Sequence, residues 1–128
     1  YQAYIIMCEY MQKNKMSHNN ALREHISTYI HSNYTDPGIS LEQVAETFGY
    51  SSSYLSRFIK QEFGMGFGEL LNKIRLEHAK RLLSSDLRPI GEISAEVGYI
   101  SSNSFIRAFK REEGSTPGQY RNAFFQQS

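Results

Sequence analysis

The chain has little cysteine, and no apolar run long enough to cross a membrane. Its one cysteine, Cys8, cannot form a disulfide within the chain, which fits a reducing compartment. No run approaches the roughly 20 apolar residues that span a bilayer, and the start does not resemble a signal peptide. Tyr1 is not an initiator residue, so we expect a piece of a longer protein. We place it in the cytoplasm, or as the cytoplasmic part of a larger sensor.

The sequence also lacks the spacing of known catalytic and metal sites. Its four histidines do not have the spacing of metal ligands. The sequence also shows no recognisable set of nucleophile, base and acid. Cys8 lies among apolar residues without a basic neighbour, which favours a core or interface position. The glycines at 64, 66 and 68 follow a helical pattern and not a strand, which indicates a helix end and turn. We therefore expect no enzyme activity, metal, cofactor or small-molecule ligand in this chain.

Positive and negative side chains are nearly equal in number, but they are unevenly distributed along the chain. The formal net charge is +1. Residues 1–56 carry three Lys or Arg against five Asp or Glu, and residues 57–128 carry eleven against eight. The basic excess in the second part is a weak indication of nucleic-acid binding.

What the chain does contain is an internal repeat with an offset of 49 to 50 residues. Each copy has a short helical pattern that ends in Gly-Tyr, and then a second helical pattern with an arginine and a lysine. A repeat at fixed spacing indicates one supersecondary unit used twice, here a helix-turn-helix. The first copy occupies 41–64 and the second 90–114.

Local signals place the helices. Ser40 and Gln43 form a capping box, and Ile39 with Val44 forms a hydrophobic staple, at the start of a short helix. A single long helix is predicted over 67–84, which would extend about 27 Å. Its inward residues are predicted to be Leu70, Leu71, Ile74, Ala79, Leu82 and Leu83.

The first residues of the chain allow three interpretations. Residues 1–14 are expected to be helical and to be followed by a polar break at Lys13–Asn20. Their apolar stripe would pack on the rest of the domain, continue a helix from a missing sensor, or form a dimer seam. We favour the linker helix from an upstream domain.

The second helix of each copy is predicted to read DNA. The apolar stripe of this helix is predicted to be buried, and it consists of Leu55, Phe58 and Ile59 in the first copy and of Phe105, Ala108 and Phe109 in the second. The opposite stripe carries short polar residues near the helix start and an arginine further in, which suits insertion into the major groove. Arginine pairs with guanine O6 and N7, and lysines near the helix end suit phosphates. The predicted base-contacting residues are Ser53, Ser56, Arg57, Asn103, Ile106 and Arg107, and the predicted phosphate-contacting residues are Ser51, Lys60, Ser101, Lys110 and Arg111.

Each of these residues also has an ordinary explanation. Arg57 and Arg107 would be solvated arginines in a protein that does not bind DNA, although their repeated placement favours base contact. Ile106 is unusual on a solvated face. It would either contact a thymine methyl group or form the edge of the apolar stripe.

Together these motifs resemble the C-terminal DNA-binding domain of AraC/XylS-type transcriptional regulators. The resemblance covers roughly residues 20–122. It implies that Arg57 and Arg107 read bases, and that Ser53, Ser56, Asn103 and Ser104 occupy variable specificity positions. It also implies regulation of bacterial transcription, often through RNA polymerase. The segments that carry it are 40–51, 54–58, 74–83, 93–99, 105–110 and 116–121.

We therefore predict an all-α fold of about seven helices, with two helix-turn-helix subdomains, a connecting helix and an N-terminal helical extension. The expected partners are double-stranded DNA and a sensor or dimerisation domain upstream. The rival functions are the DNA tether of a repair enzyme and a helical protein-interaction module. The predicted divisions are 1–17 for the end of an upstream linker or sensor helix, 18–66 for the first subdomain, 67–85 for the connecting helix and 86–128 for the second.

Overall fold

The computed structural model describes the backbone of residues 2–126 and the side chains of residues 16–126. Seven helices account for the regular structure of this part of the chain, as the sequence predicts. Among the described residues, no helix combines the length and the apolar character needed to cross a membrane. The helices are α1 (Gln2–Asn33), α2 (Leu41–Phe48), α3 (Ser52–Phe63), α4 (Phe67–Ser85), α5 (Ile90–Glu96), α6 (Ser102–Glu113) and α7 (Pro117–Gln126).

Helix α1 differs from its prediction. The polar break expected at Lys13–Asn20 is wrong, because the helix continues through it without interruption. Polar residues alone do not end a helix, because their cost relative to alanine is small compared with that of glycine or proline. Residues 13–20 contain neither glycine nor proline. The side chains of residues 1–14, Cys8 included, lie outside the described side chains, so the three interpretations of that segment stay open.

Helix α2 begins as the capping signals predict. The backbone N–H of Gln43 donates to Ser40 Oγ at 3.1 Å, and Ile39 and Val44 of the predicted staple are both buried. The helix ends at Gly49, whose φ of 77° lies in the left-handed region that glycine tolerates best. This turn directs the chain into α3 and completes the first helix-turn-helix.

Two separate hydrophobic cores lie on the two halves of α4. Leu70, Leu71 and Ile74 belong to the first core, which α1, α2 and α3 complete. Leu76, Ala79 and Leu83 belong to the second core, with residues of α5 and α6. At about 100° per residue, these two sets point roughly 170° apart around the helix axis. The connecting helix therefore buries nearly opposite faces in its two halves.

Helix α7 closes the second subdomain against α4. Thr116 and Gln119 form a reciprocal capping box, with N···O distances of 2.9 and 3.1 Å. Arg121 is buried, and its Nε donates to the carbonyl oxygen of Leu83 at 3.3 Å. This bond satisfies a carbonyl at the end of α4, where helical partners run out.

Gly98 lies where the second helix-turn-helix meets the loop after α1. Its φ is 103°, and a Cβ added there would lie 2.3 Å from the carbonyl oxygen of Tyr34. Gly114 also has a positive φ, of 79°, but a Cβ there would meet nothing within 4 Å. A substitution at Gly114 would therefore cause backbone strain alone, whereas one at Gly98 would cause backbone strain and a steric clash.

We expect Gly114→Ala to lower the free energy of unfolding by about 1–2 kcal/mol, the strain of a left-handed alanine. Gly98→Ala should cost clearly more, because the added methyl group also collides with the Tyr34 carbonyl. Urea unfolding of the two variants, followed by circular dichroism, measures the difference. Equal losses would show that the Tyr34 contact does not hold in solution.

Candidate nucleic-acid interface

Helix α3 presents its polar stripe because its apolar stripe is fully used in the first core. Leu55, Phe58 and Ile59 are buried, as predicted. Ser51 caps the helix, and its Oγ accepts a hydrogen bond from the Tyr54 N–H at 3.1 Å. The exposed residues of α3 include Ser53, Ser56, Arg57 and Lys60, which fall at i, i+3, i+4 and i+7.

Helix α6 repeats this construction in the second core. Phe105, Ala108 and Phe109 are buried, and Ser101 caps the helix through a 3.2 Å bond from the Ser104 N–H. Both helices have twelve residues, and both end at a left-handed glycine whose N–H donates to the carbonyl oxygen of the preceding lysine. The exposed side chains include Asn103, Arg107, Lys110 and Arg111.

The two helix-turn-helix units match in the first part of their turns, but the second turn is one residue longer, because Ile100 stands between Tyr99 and the cap Ser101. The N–H of Tyr50 donates to Ala45 O at 2.9 Å, and the N–H of Tyr99 donates to Ser94 O at 3.0 Å. Arg57 and Arg107 each lie six residues after the serine that caps their helix, Ser51 or Ser101, so they occupy equivalent exposed positions.

Ser104 and Ile106 differ from the other candidate positions because they are half-buried. The Oγ atoms of Ser101 and Ser104 lie 2.9 Å apart within hydrogen-bonding range, so these hydroxyls are tied to the start of the helix. Ile106 lies at the edge of the apolar stripe while keeping part of its surface exposed. Both explanations given for Ile106 therefore remain.

The serine that caps α3, Ser51, keeps a hydrogen-bond donor. Ser51 Oγ uses a lone pair to accept from the Tyr54 N–H, which leaves its hydroxyl proton to be donated elsewhere. A phosphate at this place would also face the positive end of the helix dipole. Helix capping and phosphate contact are thus compatible at this position.

The fold brings α6 close to residues that the sequence pattern did not single out. An open cleft of about 450 Å³ lies between α4 and α6. The Oη of Tyr99 donates to Asn72 Oδ1 at 2.9 Å on this side of the helix, and burial raises the pKa of the Tyr99 hydroxyl. Asn72 lies 27 residues from Tyr99, so no local pattern reveals the pair. The cleft is lined by Asn72, Tyr99, Ser104, Arg107, Ala108 and Arg111.

Neither the Arg111–Glu112 ion pair nor the grouping of the described acidic and histidine side chains indicates a metal site. Arg111 Nε lies 3.3 Å from Glu112 Oε1, but both side chains are largely exposed, so the pair contributes little to stability. Within the described residues, no three His, Cys, Asp or Glu side chains are grouped so that they could hold a metal ion.

Comparison with known proteins gives the family. The family described as "Helix-turn-helix domain" matches residues 34–123, well over half of the chain. The C-terminal domain of AraT, a response regulator from Geobacillus stearothermophilus, is 44% identical with a TM-score of 0.76, over 78% of this chain and 83% of that one. The chain is an AraC-type helix-turn-helix domain.

Other relatives of this AraC-type domain are longer proteins or more distant structures. The HTH-type transcriptional regulator YijO of Escherichia coli K12 is 36% identical over 87% of this chain, which spans only 39% of YijO. The DNA-binding domain of AdpA has the same fold, with a TM-score of 0.77 at 21% identity, over 81% of this chain and 93% of that one. The AraC-type domain thus spans under half the length of YijO.

The Ser51 cap gives a prediction that separates stability from DNA binding. Ser51→Asp should keep the free energy of unfolding close to that of the unchanged domain, because aspartate caps helices as well as serine and suits the helix dipole. It should weaken binding to a random 30-base-pair duplex by about tenfold, or about 1.4 kcal/mol, because its carboxylate repels phosphates.

Fluorescence anisotropy and thermal unfolding measure the two effects. Ser51→Ala is the matched control, and it should lower stability by about 1 kcal/mol. If Ser51→Asp bound DNA as tightly as the unchanged domain, Ser51 would not lie near a phosphate.

Proposed function

We propose that this AraC-type domain binds specific DNA sequences by inserting α3 and α6 into successive major-groove segments. The observation that supports this best is the equivalent placement of Arg57 and Arg107. Each lies exposed on a capped, twelve-residue helix whose opposite stripe is buried. Family membership supports the same function, and the AdpA domain of this fold was solved in complex with a target DNA.

The length of α4 suits two neighbouring groove segments. Its 19 residues extend about 28 Å at 1.5 Å per residue. Successive major-groove segments on one face of DNA lie about 34 Å apart. Since the two subdomains pack on nearly opposite faces of α4, the separation of their recognition helices also has a component across the helix axis.

The contacts divide by chemistry. We assign base contacts to Arg57 and Arg107, which can form paired hydrogen bonds with guanine, to the short polar residues that precede them, and to Ile106, which can contact a thymine methyl group. We assign phosphate contacts to the caps and to the cations near the helix ends. The base set is Ser53, Ser56, Arg57, Asn103, Ser104, Ile106 and Arg107, and the phosphate set is Ser51, Lys60, Ser101, Lys110 and Arg111.

The whole protein would use this domain as the DNA-binding part of a cytoplasmic transcriptional regulator. We propose that residues 1–17 end a linker or sensor helix, that a sensor or dimerisation domain precedes them, and that RNA polymerase is a further partner. The continuous helix α1 supports a linker, because a helix without a break can join two domains directly.

The test of this function is the footprint of the domain. We expect one copy to bind two unlike half-sites in tandem, centred about 10–10.5 base pairs apart, because the two recognition helices carry different side chains in one chain direction. Selection from a random duplex pool, hydroxyl-radical footprinting and sedimentation of the complex check this. Protection of one groove segment, or obligatory dimers on a palindrome, would overturn it, as would affinity that does not fall with salt.

Arg57→Ala and Arg107→Ala should each lower affinity for the selected duplex by about 1–3 kcal/mol. Each should relax base preference in a different half-site, because the two arginines lie on different helices. Binding to a panel of single-base variants measures both effects. A variant that kept full affinity and selectivity would remove its arginine from the base-reading set.

Lys60→Ala and Lys110→Ala are the matched controls on the same helices. They should weaken binding to the selected and random duplexes alike, and each should flatten the salt dependence by about one unit. A loss confined to the selected duplex would assign these lysines to bases.

A further inference from the structure

Arg75 is a buried arginine at the point where α4 changes the face it buries. Its side chain is 7% exposed, between Ile74 of the first core and Leu76 of the second. Its Nε donates to the carbonyl oxygen of Tyr34 at 2.9 Å, and its Nη2 donates to the carbonyl oxygen of Asp36 at 3.0 Å. The guanidinium thus fixes the loop after α1 onto the connecting helix.

The same guanidinium also contacts the second helix-turn-helix. It lies over the ring of Tyr99, 5.3 Å from the ring centroid, in a cation–π contact. The neighbouring Gly98 approaches the Tyr34 carbonyl so closely that a side chain would not fit. Three segments meet at Arg75: the loop of the first subdomain, the connecting helix and the turn between α5 and α6.

A buried charge at this place needs a physical reason. Burial lowers the pKa of Arg75, while Tyr99 and Asp36 oppose that effect, and an arginine stays cationic at neutral pH. An apolar side chain of similar volume would avoid the cost of burying a charge. What it would lose is the planar fork of N–H donors, which bonds both carbonyls only at one distance and one angle.

We propose that Arg75 is a positioning residue that fixes the two helix-turn-helix units relative to each other. With Arg75 in place, α3 and α6 are held at one spacing. Without it, the two units remain joined by α4 but turn against each other at the contact between Gly98 and Tyr34. The consequence for DNA, which rests on the proposed function, is that Arg75 sets the allowed distance between half-sites.

The first experiment measures the orientation in the free protein. Nitroxide labels are attached to cysteines placed at Gln61 on α3 and Glu92 on α5, both exposed, in the full chain carrying Cys8→Ser. Double electron–electron resonance then gives the distance distribution between the units. We expect one narrow distribution, which Arg75→Met should broaden about twofold. Arg81→Met is the matched control, an exposed arginine on the same helix, and should leave the width unchanged.

Circular dichroism shows whether each variant is folded. A folded Arg75→Met protein with a distribution as narrow as that of the unchanged chain would overturn the proposal, even if its melting temperature were lower. If Arg75→Met does not fold, Arg75→Gln gives the same test. Its shorter, neutral amide cannot bond both carbonyls or replace the cation over Tyr99, so a narrow distribution there would also overturn the proposal.

The second experiment measures the spacing of half-sites. Duplexes carry the selected site with zero or five base pairs inserted between its halves. The unchanged domain should lose about tenfold in affinity when five base pairs are inserted, because α3 and α6 can then no longer bind their half-sites at the same time. Arg75→Met should bind the uninterrupted site more weakly but lose less than about threefold on insertion. An equal loss in both proteins would overturn the spacing role.

The two experiments fail separately. If the unchanged domain showed no two-part site, the proposed DNA function would be wrong, while the resonance measurement would still decide whether Arg75 orients the units.

Discussion

The architecture depends on one helix that serves two cores. Because α4 buries Leu70, Leu71 and Ile74 on one face and Leu76, Ala79 and Leu83 on nearly the opposite one, neither subdomain has a complete interior without it. Each unit alone is near the size at which a domain buries too little surface to be stable. Sharing α4 therefore joins two small cores into one structure.

A helix that serves two cores cannot have one continuous apolar stripe. For this reason the buried residues of α4 were harder to predict from the sequence than those of α3 and α6. Strong periodicity within α3 and α6 predicted their buried residues correctly, since each faces one core. The repeat predicted the paired units, and the capping box predicted the start of α2. In α4 the pattern changes face near Arg75, so a single-stripe interpretation included Leu82, which is only half-buried, and missed Leu76.

Other features were not predictable because they depend on residues far apart in the chain. Arg75 bonds to carbonyl oxygens about forty residues away, and Tyr99 bonds to Asn72. In sequence, Arg75 looks like any helical arginine. The break predicted at Lys13–Asn20 failed for a different reason, because polarity alone does not interrupt a helix.

The serine caps impose a division among the positions that face outward. Ser51 and Ser101 each accept a backbone N–H, so exchanging either for a residue without a short oxygen acceptor costs about 1 kcal/mol of stability. Ser53, Ser56 and Asn103 are exposed and lie outside both cores, and substitutions at such positions usually change stability by less than about 0.5 kcal/mol. Substitutions at those three positions therefore leave the stability of the fold nearly unchanged, whereas the capping serine at the start of each helix is constrained. Under the proposed function, a lineage carrying this scaffold would change its base contacts more readily than its phosphate contacts.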